Sequence, residues 1–127
     1  MILIETVNAY VAILALMNKE TDYKTAHALL MLKQRLSPHV EFFSAEEKKL
    51  VERFGQKDGE GNVILSGNRL VFAKDADPKE YEQKRLELSG VEVPWDFEKV
   101  KIAPPSEIRP IHIEALLPFI EFEEVAV

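Results

Sequence analysis

Two close pairs of carboxylates, Asp75 with Asp77 and Asp96 with Glu98, have the spacing in this chain that best suits acid–base chemistry. Such chemistry needs a pocket that drives the pKa values of the paired groups apart. Helix capping and plain solvation account for the same four residues more simply. His27, His39 and His112 stand far apart, and none has a second imidazole at the i+4 spacing of helical zinc sites. No G-x-S-x-G sequence presents a nucleophilic serine, and Ser66 precedes a glycine only within a turn. The absence of cysteine closes thiol catalysis, zinc–cysteine sites and disulfide frameworks together.

The run Asp58-Gly59-Glu60-Gly61-Asn62 places oxygen-bearing side chains at alternate positions, as calcium loops do. An EF-hand begun at Asp58 needs glycine sixth and glutamate twelfth, where this chain has Val63 and Arg69. The two glycines also lack the third glycine of a dinucleotide-binding turn and follow a helix rather than a strand. The run therefore reads as a turn. No catalytic, cofactor-binding or metal-binding residue is assigned.

At 127 residues the chain fits one domain, and its 46% apolar and 30% charged residues give it both a core and a solvated exterior. A net charge of −6 argues against a phosphate backbone as partner, since such binding draws on clustered Lys and Arg. Lys48, Lys49 and Arg53 lie beside Glu46, Glu47 and Glu52, which makes a mixed, solvated helix face. The apolar stretch over 7–17 is too short for a bilayer, which takes about 20 residues. No Lys or Arg precedes Lys19, against a signal peptide. The expected location is the cytoplasm.

The elements that must carry these residues are α+β. Val7, Val11 and Leu14, with Tyr10, Ile13 and Met17, predict a helix over 5–18 that is apolar around most of its circumference. Thr21 or Asp22 then caps a second helix. In it Ala26, Leu29, Lys33, Leu36, Val40, Phe43, Glu47, Leu50 and Phe54 recur in steps of three and four. Pro38 falls inside this run. Ser37-Pro38 and a Ser44/Glu47 capping box favour a break there. The unbroken register favours one rod, and a single Pro-kinked helix over 22–54 is the expectation. Gly55 should end it in the left-handed conformation.

Runs 63–65 and 69–72, separated by Ser66-Gly67-Asn68, predict a β-hairpin with a type II′ turn. Asp77, Pro78 and Glu80 open a short helix that Gly90 closes, with Glu80 completing a capping box. Val91, Val93, Trp95, Phe97, Val100 and Ile102 then form an extended arm or edge strand, because Pro94 lies within it. A last short helix over 111–119 precedes an acidic tail. The layout is a single domain over 1–127, with a helical part (1–55), a hairpin, helix and extended strand (56–103) and a C-terminal helix and tail (104–127).

The stretch Phe54-Gly55-Gln56-Lys57-Asp58-Gly59-Glu60-Gly61-Asn62-Val63 resembles a pattern in small proteins of tailed bacteriophages and prophages. There a charged helix ends in an aromatic-Gly pair, crosses a Lys-Asp-rich loop and enters a short hairpin. Glu80, Tyr81 and Leu86 to Leu88 look like the helix that follows, and 91–93 like the next strand, so the resemblance covers 26–102. The apolar first helix and the Pro-Trp arm have no counterpart in it. That family has no established activity, so no catalytic residue is carried over.

The resemblance and the apolar helix together point to a non-enzymatic accessory protein that binds protein, in virion assembly, as a homo-oligomer or with another chain. The expected interface is Val7, Val11 and Leu14 on the first helix, Leu36, Val40 and Phe43 on the second, and Trp95 and Phe122 beyond. A location in the bacterial host cell, with association to the virion, follows. A second reading makes the four carboxylates a small acid–base enzyme. A third has Trp95, or the tail with Phe119, Ile120, Phe122 and Val125 among Glu121, Glu123 and Glu124, regulate a host protein. For Trp95 the plainer role is a core plug covering the hairpin.

Overall fold

The computed structural model describes residues 1–105 and 107–123. Its elements are, in order, α1 (Leu3–Met17), α2 (Tyr23–Phe54), β1 (Leu65–Ser66), β2 (Arg69–Leu70), α3 (Pro78–Ser89), β3 (Val100–Ile102), α4 (Pro110–Leu116) and β4 (Ile120–Phe122). This is an α+β fold, as the sequence predicts. Val125 and Glu124 of the expected tail lie outside the described residues.

The axis of the molecule is α2, a single helix of 32 residues with Pro38 inside it. At 1.5 Å per residue it is about 48 Å long, whereas a compact chain of this length has a diameter of about 36 Å. The single helix expected over 22–54 forms, and the caps that Ser37 and Ser44 offer do not, because both residues are helical. Burial explains why the helix survives its proline. Leu29, Leu32, Leu36 and Phe43 are all buried along one side, and each large apolar side chain so covered contributes about 1.5–3 kcal/mol, against about 3 kcal/mol for an interior proline. Asp22 caps the start, its carboxylate accepting the Thr25 N–H at 2.9 Å.

Gly55 ends α2 for a reason other than the expected one. Its φ of −81° and ψ of 144° are ordinary extended backbone. What demands glycine is space: a Cβ there would stand 2.7 Å from the Val51 carbonyl oxygen, 2.7 Å from Val63 Cγ1 and 2.9 Å from Leu70 Cδ1. The chain after Gly55 is received between the arms of the hairpin. The Gln56 N–H donates to the Val71 carbonyl at 2.7 Å, and the Gln56 carbonyl accepts from the Ile64 N–H at 2.8 Å. Beyond this point β1 and β2 pair directly, Leu65 with Leu70 and Ser66 with Arg69. Gly67 at the tip has φ +63° and Asn68 does not share that sign, as a type II′ turn requires.

The loop at 58–62 is closed by its own aspartate, whose Oδ1 accepts the N–H groups of Glu60 (2.8 Å) and Asn62 (3.0 Å). α3 begins at Asp77, which caps the Lys79 N–H at 3.0 Å. Glu80 turns instead to Arg53 of α2, at 3.2 Å, so the expected capping box gives way to an inter-helix ion pair. Phe54, Phe72 and Tyr81 meet edge to face at 5.3–5.7 Å and join α2, the hairpin and α3. The start of α1 is stitched to the segment after α3, with Leu3 N–H donating to the Val91 carbonyl and Val93 N–H to that of Met1, both at 2.8 Å.

In the C-terminal part the expected short helix is present as α4, but the residues after it form a strand where a tail was expected. β3 and β4 pair in parallel, in register Val100 with Ile120 and Ile102 with Phe122, and α4 is the crossover between them. The main core lies where α1, α2 and this β-α-β unit meet, and holds Ala9, Ala12, Ile13, Leu16, Leu29, Leu32, Leu36, Ile102, Leu116, Phe119 and Ile120. A smaller cluster of Leu3, Phe43, Leu88 and Val93 lies beside α3.

Candidate functional site: an apolar face on α1 and α4

The inner side of α1 is lined by small and branched residues, Ala9, Ala12, Ile13 and Leu16, and this lets it lie close on α2. Thr6, fully buried, donates its hydroxyl to the Leu3 carbonyl at 2.6 Å and so needs no other partner. With this side filled, the apolar residues of the other side are left over. Val11 is 55% exposed and Leu14 40%, with Val7 half-buried beside them.

α4 extends the same surface. Pro110 sets the first turn, and Ile111 and Ala115 follow at helical spacing with Pro118 after them. Together with Val11 they line a groove of about 550 Å³ whose rim carries Glu5, Asn8, His112 and Glu114. Ile111 is 68% exposed. The groove's apolar lining is Val11, Ile111, Ala115 and Pro118, and Leu14 is exposed one turn along α1 from Val11. An exposed apolar surface continuous over two helices is the usual mark of a binding surface rather than scattered surface leucines.

The eight residues expected at an interface divide sharply. Val11 lines this groove and Leu14 is exposed one turn further along α1, whereas Val7 packs half-buried against the smaller cluster. Leu36 and Phe43 do not reach the surface: Leu36 is fully buried in the main core and Phe43 in the smaller cluster with Leu3, Leu88 and Val93. Both correct the expectation, since they lie on the side of α2 that covers the domain's own core. Val40 is half-buried on the same helix. Trp95 plugs the core, edge-on to Phe119 at 5.1 Å and to Phe97 at 5.0 Å, with His39 behind it at 6.5 Å. It therefore covers the β-α-β unit and not the hairpin, whose cover is Tyr81 with Phe54. Arg35 lies over the Phe97 ring at 4.5 Å and fixes the arm to α2. Phe119 and Ile120, expected in a docking tail, are core residues, and Phe122 packs half-buried against the same cluster.

Asp75, Asp77, Asp96 and Glu98 are all exposed, and Asp77 is engaged as a cap. None of them lines the α1–α4 groove, the groove between α2 and α3 around Phe42, Leu50 and Val91, or the cleft at the α1–α2 turn beside Thr25. The geometry thus gives no support to a shared acid–base pocket. Among the described residues no three His, Asp or Glu side chains stand together as metal ligands, and no helix is long and apolar enough to cross a membrane.

Two groups near the α2 N-terminus depart from their ordinary titration. Hydrogen bonds from the Thr25 hydroxyl and backbone N–H, helped by the charge of Lys24, hold Asp22 below the usual carboxylate range. Lys24 is raised by the Glu123 carboxylate, 2.9 Å away. Both serve structure, one as a cap and the other by fastening the residue after β4 to α2.

Sequence reasoning missed Ile111 as a member of the face. A signal was present: Pro110 as the first helical residue places 111 and 115 on one side of α4. No protein-family model, curated protein or solved structure matches this chain.

Proposed function

We propose that this is a non-enzymatic accessory protein of phage or prophage type that works by binding protein, as a piece of virion assembly in the bacterial cytoplasm, through the α1–α4 face. The observation that carries the binding role is the exposure of Val11 and Ile111 on the two walls of one groove, with Leu14 exposed one turn along α1. Burying such side chains contributes about 25 cal/mol per Å² of apolar area, so a partner that covers them gains where water does not. The acidic net charge fits a protein partner better than a nucleic acid. The phage assignment rests on the resemblance of the 54–63 loop and the hairpin it enters.

The test combines gene position with binding. The proteins encoded beside this one are purified and titrated with wild-type protein and with a Val11→Glu/Ile111→Glu variant. The expected result is head or tail genes as neighbours, and binding to one of their products or to itself that falls at least about tenfold in the variant. A gene set among metabolic genes, with a wild-type chain that binds none of these products and stays monomeric, contradicts the proposal.

A further inference from the structure

We draw no further inference here: the strongest candidate, the apolar groove between α1 and α4 walled by Val11 and Ile111, belongs to the site already described, and nothing in the structure shows what covers it.

Discussion

α1 and α3 both pack on α2, yet their outer sides have little in common. α3 carries Glu80 and Arg85 to Arg53 and Glu47 of α2, at 3.2 and 2.7 Å, and apart from Pro78 and Leu86 its exposed residues are polar or charged. It is finished in water as it stands. α1 has one charged residue in 15, buries Ala9, Ala12, Ile13 and Leu16, and still shows Val11, Leu14 and Met17 to solvent. The comparison teaches that overall charge says little about where a chain is incomplete. A protein of net charge −6 can concentrate its charges on one flank and leave another apolar.

If this contrast is real, substitutions should act on stability where the fold satisfies itself and on association where it does not. The largest loss is expected from Leu36→Ala. This side chain is fully enclosed by α1, α2 and the β-α-β unit, and its removal should cost about 2–5 kcal/mol in urea unfolding. A value near zero would return Leu36 to the surface. Gly55→Ala comes next, at about 1–3 kcal/mol, because the added methyl must displace the Val51 carbonyl and two packed side chains. A neutral result would mean that glycine is there for its conformational freedom.

Asp22→Asn keeps the cap but removes its titration. Because Asp22 is held below its ordinary range in the folded chain, its contribution is present above the unfolded carboxylate pKa of about 4 and is lost as pH falls through the lower folded value. The acid limb of the stability curve should therefore be flatter in the Asn variant, and an unchanged limb would show that Asp22 is not the titrating cap. Arg85→Ala breaks an exposed ion pair and should cost only about 0–1 kcal/mol. That small loss, measured in the same urea series, would show that α3 is held by Tyr81 and Leu88 rather than by its charges.

Much of the framework was legible in the sequence for local reasons. Gly67-Asn68 specifies its turn, Asp77-Pro78 opens its helix, and the three-four register of α2 runs through Pro38. The failures are non-local. Ser37 and Ser44 offer caps, but burial of Leu36 and Phe43 on either side holds the chain helical through them. β4 is three residues long and its partner lies across α4, so no local pattern separates it from a tail. Gly55 was misread because close approach by Val63 and Leu70 has no signature in the residues beside it.

The candidate site was half legible. The spacing of Val7, Val11 and Leu14 shows an apolar stripe, but a helix apolar on every side does not say which stripe faces inward. That depended on Ala9 and Ala12 giving the closer contact to α2.

Hydrogen exchange measured on the protein alone at low and at high concentration, and with the products of neighbouring genes added, tests the contrast between α1 and α3 most directly. In the binding state the amides of α1 should exchange at least about tenfold more slowly, while α3 and the hairpin stay unchanged. Exchange that is unchanged under every one of these conditions, or that slows at α3 instead of α1, would contradict the account.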